Sequence, residues 1–325
     1  LAPNPHNRQP WLVDLVGKDE IVLYCELDRR LPETDPFDRQ ITIGLGCFLE
    51  LANITAREIG MEAKIELFPD GEAFPRLDQG PVARILLKEQ ETAKDALFSE
   101  VFERRSNKEP FDTGKVVSKE NADLILTAAR QSVSAGHVLA EDRINRLREI
   151  TWAAMDNEMR TYRTAKESID LMRIGKAEIE ANPDGIDLGG AFMEILAATG
   201  QLTREGMLAF DSTMFEQSQA AIRPPIDTAM GYVFVKTDGN SRADQIEAGR
   251  SYVRMNLKAT ELGIAMHPLS QALQEFEEVS KQHAEIKNEL GVTASQTLQM
   301  FARIGYADKP DPSPRWAYET RIRNA

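Results

Sequence analysis

Hydrophobic and polar positions alternate in short runs near the start of the chain and then take a helical spacing. Residues 12–16 and 21–26 have the alternation of strands, and the turn at Gly17 between them predicts a hairpin. Residues 39–59 place apolar side chains on one face, which predicts a helix that ends near Gly60. Further strands are predicted over 63–68 and 82–88. The pattern of this first region is typical of a small α+β unit.

The middle and end of the chain carry mostly helical spacing. Ser118 has the character of an N-cap for a helix that carries apolar residues as far as Val133. The other predicted elements are a helix over 98–105, one or two exposed helices over 142–176, a break over 182–190, an irregular connection over 204–228, a strand over 231–237, a helix over 245–262, a last helix over 295–301 and an extended tail over 308–325.

Two distant parts of the chain resemble each other. A shift of 203 positions aligns the following pairs: Gly46 with Gly249, Asn53 with Asn256, Ala56 with Ala259, Glu58 with Glu261 and Gly60 with Gly263. Each copy is a helix that ends at glycine and is followed by a strand-like run. One interpretation is a duplication, which would make the chain a fused dimer of one fold. The alternative is a chance similarity, because a search over many shifts finds such matches.

Composition narrows the class of protein. The chain has 325 residues, of which 42% are hydrophobic and 28% charged, so it can bury a sizeable core and is not a disordered chain. The net charge of -13 argues against nucleic acid or an anionic membrane as a partner. Cys25 and Cys47 are predicted to be free buried thiols, and the four histidines show no metal-ligand spacing, so we expect no metal.

Hydropathy and the first residue bear on localisation. No apolar run reaches the roughly 18 residues that span a bilayer. The sequence begins at Leu1 rather than at a methionine. We therefore expect a cytoplasmic protein, or a periplasmic one if a signal peptide has been removed before Leu1.

Two segments carry residue types that suit a ligand. Asn4, Asn7 and Gln9 offer amide donors and acceptors that suit the edge of a flat heterocycle; a proline-rich cap on a turn is the alternative. Residues 104–108 combine two arginines, a serine and a lysine into a compact anion site. The alternative for that second segment is a solvated helix end.

Two shorter candidates lie near the C-terminus. Pro268, Leu269 and Ser270 follow the second repeat helix and could press backbone groups against a ring edge, although a plain loop has the same composition. Arg315 could close on a phosphate, and an exposed tail is its alternative.

Together these segments resemble the FMN-dependent nitroreductase family. Asn7, Gln9, Pro10 and Trp11 match its N-x-Q-P-W element. The R-x-S-x-K element of the family is matched by Arg104, Ser106 and Lys108, and Arg315 matches a C-terminal arginine on the flavin phosphate. Residues 268–270 lie where the family has its flavin-edge loop. The resemblance covers most of the chain.

The order of the motifs departs from the usual one, because N-x-Q-P-W comes first. In the family the flavin lies at a dimer interface and takes one element from each subunit. The chain therefore looks like the tandem branch, in which two nitroreductase-like halves form a pseudo-dimer within one chain. We place the first half at 1–95 and the second, with a helical insertion, at 96–325. A second N-x-Q-P-W is missing, so we expect one FMN per chain and a plausible monomer.

The resemblance implies an oxidoreductase that takes hydride from NAD(P)H through FMN to a nitroaromatic, quinone or similar acceptor. Arg104, Ser106 and Arg315 would bind the phosphate, and Lys108 would lie near it or near the N1/O2 edge. Asn4, Asn7 and Gln9 would contact the ring or ribityl, and residues 268–270 would border the ring near N5. Two alternatives remain: a flavin-storage protein with a lid over 204–228, and a module that kept the fold but lost the ligand.

Overall fold

The computed structural model describes residues 1–90 and 92–324, and it has two four-stranded sheets, each with a long helix. The first unit consists of β1 (Trp11–Val16), β2 (Glu20–Cys25), α1 (Arg39–Glu58), β3 (Met61–Leu67) and β4 (Ala83–Glu89). The second consists of β5 (Ser134–Val138), β8 (Gly231–Thr237), α9 (Arg242–Glu261), β9 (Ala265–Pro268) and β10 (Thr297–Gly305).

The remaining elements are mostly helices around the second sheet. They are α2 (Lys119–Thr127), α3 (Glu141–Arg160), α4 (Tyr162–Asp170), β6 (Met172–Ile174), α5 (Gly175–Ala181), β7 (Ile186–Leu188), α6 (Ala191–Ala198), α7 (Arg204–Leu208), α8 (Thr213–Asp227) and α10 (Ser280–Glu289). Strands β6 and β7 form a small parallel pair within this region.

The two main sheets share one topology. Their strand orders are β1-β2-β4-β3 and β5-β8-β10-β9, and every neighbouring pair in both is antiparallel. In each unit a 20-residue helix connects the second strand in sequence to the third. Both ends of α1 and α9 lie 203 positions apart, which is the shift of the sequence repeat. The chain therefore fits a duplicated arrangement of an α+β unit with antiparallel sheets flanked by helices.

The centre of the molecule is the contact between α1 and α9. One hydrophobic cluster joins both helices and both sheets, with fully buried side chains such as Leu45 and Val253. A second cluster packs α3 on the other face of the second sheet, where Tyr232 stacks on Phe301 with ring centroids 4.6 Å apart. The first cluster makes the two units one packed body, because they share its core.

The C-terminal tail crosses from the second unit to the first. Ile322 forms a parallel bridge with Val13 of β1, and the Arg323 N–H donates to the Val13 carbonyl at 2.8 Å. This pairing protects the outer edge of the first sheet, since an unpaired edge strand exposes a row of hydrogen-bonding groups.

Several predicted elements are confirmed. The hairpin, the helix after residue 39 and both following strands lie within two residues of their predicted bounds, and Gly60 has the positive φ of +76° expected after a helix. The Ser118 hydroxyl accepts from the Asn121 N–H at 3.1 Å, as an N-cap does. Helix α2 nevertheless ends at Thr127, so Val133 lies beyond it.

The predicted last helix over 295–301 is wrong, because these residues enter β10 (Thr297–Gly305). This strand is buried almost throughout and lies between β8 and β9. A central strand is apolar on both faces, and such a run cannot be distinguished from a buried helix by periodicity.

Two other predictions of local structure are also wrong. Residues 98–105 do not form a helix; only a 3₁₀ turn, Ala96–Glu100, is present there. Residues 204–228 are not irregular, since α7 and α8 occupy most of them. Ser212 caps α8 at the Phe215 N–H, and Pro224 and Pro225 lie in its last turn.

One buried carboxyl group in α3, that of Glu158, should make the stability of the chain depend on pH. Glu158 is 4% exposed, its carboxylate accepts from Gln274 at 2.7 Å, and burial raises its pKa from 4.5 to about 7. Between these values the folded chain keeps a proton that the unfolded chain releases, so stability falls as pH rises. Above about pH 7 the cost is about 3 kcal/mol.

Glu158→Gln should therefore stabilise the chain at about pH 8 and change little at about pH 4.5. Urea unfolding at both pH values measures this difference. The exposed Glu149→Gln is the control, since its carboxylate is 72% exposed. A gain that is equal at both pH values would contradict the assignment to Glu158.

Within the described residues, no helix is both long and apolar enough to cross a bilayer.

Candidate functional site

A pocket with an enclosed volume of about 80 Å³ lies between the two units. The first unit contributes the N-terminal segment and α1, and the second contributes the loops around β9 and β10. Its lining residues are Pro3, Asn4, Pro5, Arg39, Gln40, Ile43, Gly44, Cys47, Ser106, Tyr252, Pro268, Ser270, Leu273, Gln299, Met300 and Phe301. The walls are mainly apolar with a few polar groups, as in many small-molecule and cofactor sites.

The segment of Arg104 and Ser106 reaches one side of this pocket. Ser106 lines it directly. Arg104 is buried, and its guanidinium donates to the Asn256 Oδ1 and the Leu1 carbonyl, each at 2.9 Å. Its Nε is buried and has no partner among the described residues. Burial lowers the pKa of Arg104, which means that its positive charge is incompletely compensated.

Lys108 is exposed and lies close to two histidines. Burial, and to a lesser extent the charge of Lys108, lowers the pKa of His6 to about 4. The same two causes, with Arg303 added, lower the pKa of His267. Both imidazoles are therefore neutral near pH 7, and the fixed positive charge on this side of the pocket comes from Lys108 and the arginines.

The N-terminal segment has a strained backbone. His6, Asn7 and Gln9 have φ values of 46°, 49° and 50°, in the left-handed region that non-glycine residues rarely adopt. The Gln9 N–H donates to the Asn4 Oδ1 at 2.7 Å, which closes this turn on itself. Such strain costs about 1–3 kcal/mol per residue and persists only where surrounding contacts hold it, often at ligand sites.

The amides of Asn7 and Gln9 hold the C-terminal tail. Asn7 donates to the Pro314 carbonyl at 3.0 Å and accepts from the Arg315 Nη1 at 2.7 Å. The Gln9 Oε1 accepts from the Trp316 N–H at 3.0 Å, and its Nε2 donates to the Pro183 carbonyl at 2.7 Å. These two side chains therefore orient the tail and its arginine, whereas Asn4 lines the pocket itself.

Arg315 lies close enough to Arg104 for the two charges to repel each other. Burial lowers the pKa of Arg315 to about 10, and the charge of Arg104 contributes to the shift. In the part of the chain that the structure describes, the guanidinium groups of Arg104 and Arg315 donate hydrogen bonds to neutral acceptors only. Two desolvated cations without a carboxylate between them are costly, and an anion placed between them would remove that cost.

The loop after α9 contributes in part as predicted. Pro268 and Ser270 line the pocket. Leu269 is 2% exposed, belongs to the hydrophobic cluster under α3, and donates its N–H to the Phe301 carbonyl at 2.9 Å. Its side chain thus supports the loop from below rather than facing the pocket.

Sequence reasoning missed several residues of this site. Arg39, Gly44, Cys47 and Tyr252 line the pocket from α1 and α9. The Tyr252 hydroxyl is buried without a partner among the described residues. The only available signal was the repeat, since all four lie in its two helices.

Arg303 is a further buried residue that the sequence did not indicate. It donates to the Asn107 and Glu109 carbonyls at 3.1 and 2.8 Å, and to the His267 Nδ1 at 3.0 Å. One guanidinium therefore ties the segment of Ser106 and Lys108 to the strand that leads into Pro268.

Two small residues of α1 that line the pocket correspond, after the shift of 203 positions, to charged residues of α9. Where α1 has Gly44 and Cys47, α9 has Glu247 and Arg250. Arg250 forms salt bridges with Glu50 and Glu247 at 2.8 and 2.9 Å, and Glu50 is fully buried. Two small residues of α1 therefore line the pocket, and an ion-pair network occupies the equivalent positions of α9.

Comparison with known proteins gives the family. A sequence model described as the Nitroreductase family matches residues 101–306, and the chain belongs to this family. A Mycobacterium tuberculosis protein (strain ATCC 25618 / H37Rv) with the provisional name NAD(P)H nitroreductase Rv3131 is 25% identical over 320 residues, which cover 97% of this chain and 86% of the relative.

Solved structures in the same comparison are more distant. The FMN-dependent nitroreductase NfnB from Mycobacterium smegmatis, solved with NADPH, is 20% identical with a TM-score of 0.44, over 70% of this chain and 96% of that one. The nitroreductase-like family protein from Bacillus cereus is 12% identical with a TM-score of 0.40, over 72% and 98% of the two chains.

Proposed function

We propose that this chain binds one FMN in the pocket and transfers hydride from NAD(P)H to a nitroaromatic, quinone or similar acceptor. The observation that carries the proposal is the pair Arg104 and Arg315, a buried and a half-buried guanidinium that bond only to neutral acceptors among the described residues. Neither lines the pocket itself, but Arg104 lies two residues before the pocket-lining Ser106 and Arg315 bonds to Asn7 of the N-terminal segment. A phosphate group would satisfy both, together with the unpaired Nε of Arg104. Membership of the Nitroreductase family and the relative's name support the same cofactor chemistry.

The residues present fit this cofactor. Arg104, Arg315 and the Ser106 hydroxyl would hold the phosphate, and Lys108 would supply positive charge near it or near the N1/O2 edge of the ring. Pro268 and Ser270 would border the ring on one side of the pocket. When bound, FMN would supply the hydride chemistry, and the protein would contribute binding, orientation and exclusion of water.

The first unit would complete the site from the opposite side. Asn4 lines the pocket, so its amide could contact the ring or the ribityl chain. Asn7 and Gln9 would act mainly by holding Arg315 and the tail, because their amides already bond to residues 314–316. The pocket is thus shared between residues 1–95 and 96–325, which is the arrangement expected of an internal pseudo-dimer and of a protein that works as a monomer.

We expect one FMN per chain. The position equivalent to the pocket carries Glu247 and Arg250 in a buried ion-pair network, so a second flavin would have to displace both. Removing one partner from such a network is costly. The absorbance ratio of flavin to protein in the purified protein, checked by flavin release, should give a stoichiometry of one, and a ratio of two would contradict the prediction of a single site.

Turnover distinguishes the proposed enzyme from a storage protein. The suggested lid, residues 204–228, packs on α3 and α4: Phe215 is 1% exposed, and Arg160 lies 5.1 Å from its ring centroid. Among the described residues that line the pocket, none comes from this segment. Steady-state oxidation of NAD(P)H with a quinone tests the proposal. Bound flavin without turnover would favour storage, and a colourless chain that takes up no FMN would contradict both functions.

A further inference from the structure

Arg39 is a buried arginine that connects the two units at the pocket. It is the first residue of α1, its side chain is 2% exposed, and it lines the pocket. All of the acceptors that its guanidinium reaches belong to the second unit. They are the Glu275 carboxylate at 3.0 Å, the Leu273 carbonyl, and the carbonyl and side chain of Gln299 at 3.2 and 3.3 Å.

These acceptors belong to the segments that shape one wall of the pocket. Leu273 and Gln299 line the pocket, and Ser270 comes three residues before Leu273 in the same loop. Gln299 is also held within its own unit, because its Nε2 donates to the side chains of Thr237 and Asn240 at 3.0 and 3.1 Å. Arg39 of the first unit therefore links two segments of the second unit at the pocket, the loop after β9 and the start of β10.

The repeat supplies a natural comparison for Arg39. Arg242 is the first residue of α9, lies 203 positions later and is also fully buried. It crosses to the loop after β3, where it donates to the Ala73 and Pro75 carbonyls, each at 3.0 Å. None of its acceptors lines the pocket. Each arginine thus bonds to a loop of the other unit, Arg39 beside the pocket and Arg242 away from it.

We infer that Arg39 is a positioning residue for the flavin site: it holds the loop of Ser270 to Glu275 and the start of β10 in the geometry that receives the ring. The inference rests on the proposed function for its ligand, but the positioning itself is a property of the FMN-free chain. It assigns Arg39 an effect on cofactor affinity that Arg242, with equal burial, does not have.

The test compares Arg39→Met with Arg242→Met in the full chain. Both should lower the melting temperature, because each removes a buried set of hydrogen bonds. Only Arg39→Met should raise the Kd for FMN, by at least about tenfold, and change the visible spectrum of the bound flavin. Equal increases in Kd for both variants, or no increase for Arg39→Met, would overturn the inference.

Hydrogen exchange separates this inference from the proposed function. The Leu273 and Gln274 amides donate to the Ser270 and Gln271 carbonyls, and the Gly71 amide at the equivalent position donates to Phe68. In the FMN-free chain, Arg39→Met should speed exchange at Leu273 and Gln274 but not at Gly71. Unchanged exchange would refute the positioning role, whereas a wild-type chain that binds no FMN would refute the proposed function.

A milder pair of variants covers the case in which Arg39→Met does not fold. Glu275→Gln removes the charged acceptor of Arg39. Glu72, at the equivalent position, accepts from the backbone N–H groups of Arg242 and Ala243 at 2.9 and 3.0 Å. Glu275→Gln should raise the Kd for FMN by a few-fold and Glu72→Gln should not; a reversed or equal effect would contradict the assignment.

Discussion

Arg104→Ala is expected to raise the Kd for FMN by roughly 10- to 100-fold. A charge-assisted hydrogen bond to a phosphate is worth about 1.5–3 kcal/mol, and each 1.4 kcal/mol is about tenfold in affinity. The effect should be at the upper end, because Arg104 is desolvated and its Nε is unpaired in the described chain. Quenching of FMN fluorescence on titration with flavin-free protein measures the Kd.

The neighbouring arginine is the matched control for this variant. Arg105 is half-buried, and its guanidinium is already bonded to the carbonyls of Phe102, Arg104 and Pro310. Arg105→Ala should leave the Kd within about twofold, because it removes no phosphate contact. An unchanged Kd for Arg104→Ala would remove this residue from the flavin site, and an equal change for both variants would indicate a general electrostatic effect.

Gly249→Ala is expected to destabilise the chain by about 3 kcal/mol, at the upper end of the usual cost of overpacking. A Cβ at Gly249 would lie 1.9 Å from the Ile43 carbonyl oxygen, and one at Gly46 would lie 2.2 Å from the Ile246 carbonyl oxygen. Both obstacles are backbone atoms of the facing helix, so α1 and α9 would have to separate. Glycine is needed here for close approach of two backbones.

Urea unfolding measures this loss, and Gly114→Ala is the control. A Cβ at Gly114 would meet only the Asp112 side chain, at 3.2 Å, in an exposed turn. Gly249→Ala should also weaken FMN binding, since α1 and α9 both line the pocket. A loss of less than about 1 kcal/mol would show that the helix pair can shift without cost, contrary to the tight packing of such cores.

Local patterns predicted the first unit well. Its hairpin, helix and two strands follow alternating or helical spacing on a half-buried surface, and glycines mark their ends. Prediction failed for β10, because a strand buried on both faces has no alternation to detect. It failed also for α7 and α8, because residues 204–228 are predicted as an irregular connection, whereas Pro224 and Pro225 fall in the last turn of a helix.

For the candidate site, too, the residue types were predictable from the sequence and the tertiary contacts were not. Residue types in two short motifs pointed to an anion and a flat ring, and the structure brings Asn4, Ser106, Pro268 and Ser270 to one pocket. Periodicity could not indicate that Asn7 and Gln9 serve the tail or that Leu269 faces the core. The roles of Asn7 and Gln9 depend on which atoms approach from segments 174 to 307 positions away in sequence.

The sequence by itself determined the class of fold, the repeat and the residue types that suit a flavin phosphate, because these depend on local spacing and on side-chain chemistry. The tertiary structure alone decided which side chains meet at the pocket between the two units. Helices α1 and α9 pack face to face, and Gly44 and Cys47 of α1 line the pocket, whereas Glu247 and Arg250 at the equivalent positions of α9 form an ion-pair network with Glu50. These contacts follow from three-dimensional packing between residues far apart in the chain, which local spacing does not describe.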